Sequence, residues 1–223
     1  IEGNSWNFSF HVPFDVNGLM SLMGGEKVFV KRLDDLFGMH LPEEYYAANE
    51  DITIDCLVGG YVHGNEPSHH VPYLYAWTSQ PWKTQYWVRQ VMERFYTPTP
   101  DGYCGDEDNG QTSAWYIFSA LGFYPVTPAS GYYVIGVPHF DEMVINLENG
   151  KTFTVTANNL SRENRYIESV KLNGKPLNRS YIYFDEVHNG GKLEFIMTNN
   201  RKSTWATEAE NCPTQKIEGP IIV

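Results

Sequence analysis

The sequence has no long hydrophobic run. Nothing in its 223 residues approaches the roughly 20 consecutive apolar residues that a membrane-spanning helix needs. A membrane span is therefore not expected. Cysteine is also scarce. Cys56, Cys104 and Cys212 stand far apart, none in a CxxC pair, which argues against a structural zinc site. An odd number excludes a full disulfide framework and leaves free thiols, or one bridge in an oxidising compartment. Positive charge is scarce too: 16 Lys and Arg stand against 27 Asp and Glu, a net charge of -11. Nucleic-acid binding needs a basic footprint, so no nucleic-acid partner is expected. Acidity suits a neutral substrate or a cation site, although solubility alone also accounts for it. The opening residues, Ile1-Glu2-Gly3, carry no initiator Met, basic region or apolar stretch. Any targeting signal is expected upstream.

Aromatic residues are plentiful at 15%, with 15 Tyr and 6 Trp. Trp and Tyr offer flat apolar faces with a polar edge. Sugar rings have apolar faces edged by hydroxyls, so the composition points toward carbohydrate.

The grammar of the chain changes near residue 130. Gly18 to Phe37 holds Leu19, Leu22, Met23, Val28, Val30, Leu33, Leu36 and Phe37 on one drifting face and predicts a helix. A second helix is predicted from about His69 to Tyr96, with a turn and restart at Pro81 and an end before Pro98, Pro100 and Asp101-Gly102. A third runs from about Gln111 to Leu121. It is apolar on most sides, so burial is expected, and Gly122 caps it. Beyond Pro128, short β-type runs follow: 132–136, 143–147, 152–156, 166–172, 181–184 and 192–197. Asn149-Gly150 predicts a hairpin turn. The expected fold is mixed α and β. Residues 1–130 form a helical part, 131–200 an antiparallel β region, and 201–223 a polar, loosely attached tail.

Four clusters carry candidate chemistry. In Glu2-Gly3-Asn4-Ser5-Trp6 a carboxyl lies close to an indole. Such burial raises a carboxyl pKa and suits a general acid, though an exposed chain end reads the same way. In His63-Gly64-Asn65-Glu66-Pro67-Ser68-His69-His70, the oxygens of Asn65 and Glu66 suit calcium. Zinc favours an i, i+4 histidine pair, which adjacent His69 and His70 do not make. A plain helix cap, Asn65 with a dipole-stabilising Glu66, explains the same residues. The third cluster packs Asp101, Asp106, Glu107 and Asp108 among Gly102, Gly105 and Gly110. Its spacing does not match an EF-hand. Crowded carboxylates need a cation, a proton or a catalytic use, unless the turn is simply solvated. The fourth, Gln80-Pro81-Trp82-Lys83-Thr84-Gln85, either lines a pocket or supplies core. Glycoside hydrolysis uses these parts: one carboxylic acid protonates the leaving oxygen and a second carboxylate activates water or attacks. Glu2 and the pair Asp106 and Asp108 are the candidates.

Taken together the clusters resemble glycoside hydrolase family 92. The resemblance rests on Glu2 to Trp6, His63 to His70, Pro81 to Gln85, Pro100-Asp101-Gly102 and Gly105 to Trp115. It continues through Phe118 to Pro125, Ser130-Gly131 and Leu172-Asn173-Gly174-Lys175, and reaches about residue 198. It implies an inverting, calcium-dependent exo-α-mannosidase acting on mannose-containing glycans, and the C-terminal portion of a fold in which a β-sandwich precedes an (α/α)6 barrel. It implies Glu2 as general acid and Asp106 with Asp108 as general base. Asn65 and Glu66 are implied as calcium ligands, and Trp6 and Gln111 as pocket residues. Inversion implies carboxyl groups roughly 6.5–9.5 Å apart.

The chain begins at the implied acid, so the sandwich and part of the barrel are expected upstream. Half a barrel exposes apolar helix faces, which implies association with that missing part or with a second copy, and an inactive isolated fragment. A secreted or periplasmic location and α-1,2 linkages are expected by resemblance. The competing reading is a carbohydrate-binding or structural module without catalysis, which has no need of an acid at Glu2 or a paired-Asp loop.

Overall fold

The computed structural model describes residues 3–40 and 57–214. Helix α1, Ser5–Phe8, is capped by Asn4, whose Oδ1 accepts from the Asn7 N–H at 2.9 Å. The other end of the same amide donates to the Gly60 carbonyl at 2.9 Å. The single helix expected over 18–37 is two: α2, Val16–Leu22, started by the Asp15 side chain, and α3, Glu26–Gly38. The break is at Gly24 and Gly25, with φ of 102° and 94°. That left-handed backbone interrupts a helix, and glycine adopts it without steric cost. α3 buries Phe29, Val30, Leu33, Leu36 and Phe37.

Strands β1, Leu57–Val58, and β2, Tyr61–Val62, form a small hairpin. Its Gly59 (φ 60°) lies so close to α3 that a Cβ would stand 2.4 Å from the Leu36 carbonyl oxygen. The Gly60 N–H donates to that oxygen at 2.7 Å. The chain then enters two 3₁₀ turns, Glu66–Ser68 and Val71–Trp77, rather than the long helix expected from His69. Pro67 and Pro72 fall in their first turns, where the missing N–H is harmless. As the Pro81 signal predicted, a new helix follows: α4, Trp82–Phe95. α5, Gln111–Leu121, ends at Gly122 with φ 95°. It is less enclosed than expected: Trp115 is fully buried, but Ile117 is 55% exposed.

The β region is not one antiparallel layer. β3, Phe123–Tyr124, pairs with β4, Tyr132–Ile135, and β4 with β9, Tyr181–Tyr183, in a three-stranded sheet. β5, Glu142–Asn146, β6, Thr152–Asn158, β7, Tyr166–Leu172, β8, Lys175–Pro176, and β10, Gly191–Thr198, form a second sheet in the order β5-β6-β10-β7-β8. Its central pair, β10 with β6, is parallel. β9 and helix α6, Phe184–His188, carry the chain out of this sheet, so it returns between β6 and β7 rather than beside its predecessor. Local hairpin signals cannot foretell such an insertion.

One face of this sheet is apolar, as alternation requires. Phe153 and Val155 of β6, Ile167 and Val170 of β7, and Leu193 and Phe195 of β10 are buried. The Ile167 N–H donates to Gln85 Oε1 of α4 at 2.9 Å, stitching sheet to helix. The expected loose tail is seated at least as far as Cys212. Trp205 is buried and donates through Nε1 to the Leu177 carbonyl at 2.8 Å, and Ser180 N–H bonds the Asn211 carbonyl at 2.8 Å. Among the described residues Cys104 and Cys212 form no disulfide, and Cys56 lies outside them.

Candidate active site

The loop between α4 and α5 is held by close backbone contacts. At Gly102 a Cβ would lie 2.2 Å from the Thr97 carbonyl oxygen. At Gly105 it would lie 2.5 Å from the oxygen and 2.7 Å from the Cα of Gly64. Only a glycine permits that approach. The acidic loop thus rests on the turn that leads into Asn65 and Glu66.

The three consecutive acids are not equivalent. Glu107 turns back onto α5: its carboxylate accepts from the Gly110 N–H at 2.7 Å and the Ser113 N–H at 3.3 Å. Hydrogen bonding from Ser113 and Gly110 holds its pKa below the usual carboxylate range. It satisfies donors that a helix start leaves orphaned. Asp106 and Asp108 make no such contact and are exposed. Asp108, Asn109 and Gly110 are all left-handed, with φ of 52°, 55° and 101°. Asp and Asn tolerate that region better than other non-glycine residues. Asn65 occupies the cap position of its 3₁₀ turn, yet its side chain makes no capping bond, so the plain-cap explanation of Asn65 does not hold. It is 6% exposed, and Glu66 beside it is half-buried.

Beneath the loop lies a layer of histidine and tyrosine. Tyr61 OH meets His63 Nδ1 at 2.7 Å, and His63 Nε2 meets Tyr96 OH at 2.8 Å. Tyr96 donates to the Thr112 carbonyl at 3.3 Å. The direction follows from that carbonyl, which only accepts: Tyr61 donates to His63, and His63 donates to Tyr96. His69 Nε2 bonds the His63 carbonyl at 3.0 Å, and its Nδ1 meets Gln111 Nε2 at 3.2 Å. Gln111 also donates to Tyr124 OH at 3.1 Å. His70 Nε2 bonds the Phe10 carbonyl at 2.7 Å. Burial lowers the pKa of His63, and takes His69 and His70 down to about 4. Burial likewise raises Tyr61 and Tyr96. Both ring nitrogens of His63 and of His69 are engaged in the fold, so neither is free for a metal.

The chain matches the glycosyl hydrolase family 92 catalytic domain over residues 1–199. It belongs to glycoside hydrolase family 92. Among solved structures it is similar to a family 92 α-mannosidase of Bacteroides thetaiotaomicron in complex with mannoimidazole, at 41% identity and a TM-score of 0.89, covering 96% of this chain and 28% of that one. It is also similar to an inverting family 92 mannosidase of the same organism, with 41% identity, a TM-score of 0.82, and coverage of 96% and 30%. A secreted glycosidase of Arthroderma benhamiae, itself uncharacterized, is 30% identical over 215 residues, which are 95% of this chain and 25% of the relative. The chain thus spans about a quarter of the length of that curated relative.

The remaining family-implied residues are distributed unevenly. Glu2 lies outside the described residues. Trp6 is 44% exposed and lines a hollow of about 440 Å³ with Asp34, Asp35, Gly38 and Met39, away from the acidic loop's own contacts. Its neighbour Asn7 is buried, with Nδ2 on the Ser68 hydroxyl and Oδ1 without a partner among the described residues. Gln111 does join the loop, since its N–H bonds the Asp108 carbonyl at 3.3 Å. The Gln80–Gln85 motif is mostly structural. Thr84 Oγ1 bonds the Tyr73 carbonyl at 3.2 Å, while Trp82 is half-buried and lines two surface hollows of about 510 and 430 Å³. Sequence reasoning missed the role of Glu107 and the Tyr61–His63–Tyr96 relay. The three-residue offset from Glu107 to Gly110 was a legible hint of a cap; the relay joins residues 61, 63, 96 and 112 and had no local signal.

Proposed function

We propose that the protein is an exo-α-mannosidase that removes terminal non-reducing α-mannosyl residues from glycans with inversion, and that this chain supplies its general base and cation-binding side. The observation that supports the reading is the Gly105–Gly64 backbone contact, which joins the loop carrying exposed Asp106 and Asp108 to the turn that precedes Asn65 and Glu66. Glu107 is withdrawn as a cap, which leaves those two carboxylates for chemistry. Asp106 and Asp108 take a proton from a water, whose oxygen attacks the anomeric carbon. The glycosidic bond breaks on the opposite face, and its electron pair stays with the leaving oxygen, which receives the Glu2 proton. Gln111 and Trp6 contact the sugar.

Asn65 and Glu66 would hold calcium. Their oxygens suit a hard cation, and the engaged nitrogens of His63 and His69 argue against zinc at the same place. Calcium there would supply electrostatic contact to sugar hydroxyls. Residues 1–130 are read as part of an (α/α)6 barrel and 131–200 as a β region packed on it, completed by sequence such as the longer relatives carry or by self-association. Among the described residues no helix is long and apolar enough to cross a membrane. Secretion is proposed from the secreted relative.

The test is mannose release from α-1,2-mannobiose by the protein expressed at full length, with EDTA and then with calcium restored. Loss and recovery of release is the expected result. A folded protein that cleaves no α-mannoside would leave the non-catalytic module as the better reading.

A further inference from the structure

His69 is buried at 1% exposure, with a partner on each ring nitrogen. The His63 backbone carbonyl can only accept, so the His69 nitrogen 3.0 Å from it, Nε2, must carry a hydrogen. The Gln111 amide nitrogen, which can only donate, stands 3.2 Å from Nδ1, so Nδ1 accepts and Nε2 holds the proton of the ring. Gln111 thus turns its amide nitrogen, not its oxygen, toward His69. Tyr124 OH takes a second amide hydrogen at 3.1 Å. Both amide hydrogens are then spent. A flipped amide would set an oxygen against the Nδ1 lone pair, two acceptors with no proton between them.

The frame around this amide is rigid. Trp115 Nε1 donates to the His69 carbonyl at 2.9 Å. The Tyr73 ring stacks on Tyr124 at 5.2 Å, and Tyr73 is tied to Ser119 at 2.7 Å. Gln111 Oε1 has no donor among the described residues. Gln111 itself is half-buried. Gln111 follows Asp108-Asn109-Gly110 directly, and its backbone N–H bonds the Asp108 carbonyl at 3.3 Å.

We propose that His69 and Tyr124 are positioning residues that hold the Gln111 amide with its nitrogen inward and its oxygen outward beside Asp108, making Gln111 an obligate acceptor for a sugar hydroxyl. The identity of the hydroxyl-bearing ligand rests on the α-mannosidase reading; the orientation of the amide does not.

Two measurements on the full-length protein separate those claims. The first is the His69 tautomer, read from two-bond nitrogen–proton couplings in histidine-labelled protein at neutral pH, where an Nε2–H ring is expected. An Nδ1–H ring overturns the proposal whatever the activity, and an Nε2–H ring in a protein that cleaves no α-mannoside sinks the sugar claim alone. The second is steady-state kinetics on α-mannobiose. His69→Leu removes the acceptor and should raise KM about tenfold with kcat changed less than about threefold, as expected for one lost, ground-state hydrogen-bond constraint. His69→Asn sets a carbonyl oxygen where Nδ1 stood and should restore most of that loss. Equal effects of the two substitutions, or none from either, would mean that His69 only fills space. If His69→Leu does not fold, Tyr124→Phe keeps the ring and removes one anchor. An unchanged KM in that variant also overturns the proposal.

Discussion

Two interiors meet in this molecule and they differ in kind. Under the acidic loop, His63, His69, His70, Asn65 and Ser68 are buried together with Tyr61, Tyr73 and Trp115. In the β region, Phe153, Val155, Ile167, Leu193 and Phe195 form a nearly all-apolar core, with Ser180 as its buried polar residue among those described. An apolar core stabilises without direction. A hydrogen-bonded one is stable only when every donor meets an acceptor, and it then fixes orientation as well as distance. The difference assigns work: the β region supplies stability, and the histidine layer supplies aim to the loop above it.

The sharpest test of that division is a pair of substitutions. Asp108→Asn should lower kcat by about 10²- to 10⁴-fold, the usual worth of a general base. Its melting temperature should hardly move, because Asp108 is exposed and Asn is as tolerant of its φ of 52°. Phe195→Ala is the mirror case. Phe195 is fully buried, and its ring lies against the tight backbone at Gly122, where a Cβ would come within 3.2 Å of it. Its loss should cost about 3–5 kcal/mol of stability in denaturant titration. The surviving folded fraction should turn over normally. Large activity loss from Phe195→Ala at full folding would break the comparison.

Acid should strike the polar interior first. His69 and His70 have folded pKa values of about 4 against 6.5 unfolded, chiefly from burial. Between those values the unfolded chain binds protons that the folded one refuses, so stability falls as pH drops from about 6.5 to 4. Each group accounts for about 3 kcal/mol over that window. Urea midpoints across pH 7 to 4 read the effect. His70→Asn should flatten part of the slope, whereas an apolar substitution in the β core such as Val155→Ala should leave the slope unchanged.

Much of the β region was legible in the sequence because its signals are local. Alternation marked β7 at its observed limits and β6 within two residues, and Asn149-Gly150 marked their neighbour's hairpin. The parallel insertion of β10 was not legible, because it depends on where the chain returns after β9 and α6. In the helical part, two glycines split a face that periodicity joined, and prolines converted an expected helix into 3₁₀ turns. The acidic loop and the Asn65–Glu66 turn stood out as clusters. Their contact did not, since it joins residues 64 and 105 through backbone alone.

That contact supplies the smallest and most local test. Gly105→Ala puts a Cβ 2.5 Å from the Gly64 carbonyl oxygen, well inside contact distance, and both partners are backbone. Neither can swing aside as a side chain would, so the loop must lift. Overpacking of this kind costs about 1–3 kcal/mol. The larger consequence should be kinetic, since a displacement near 1 Å in a positioning element can cost about 10²-fold in rate. Gly150→Ala is the matching change in the β region. It has open space around it but a φ of 79°, so it strains one turn and touches nothing. It should lower stability by about 1 kcal/mol and leave turnover intact. If the two alanines lowered kcat alike, the acidic loop would owe its position to general rigidity and not to its seat on Gly64.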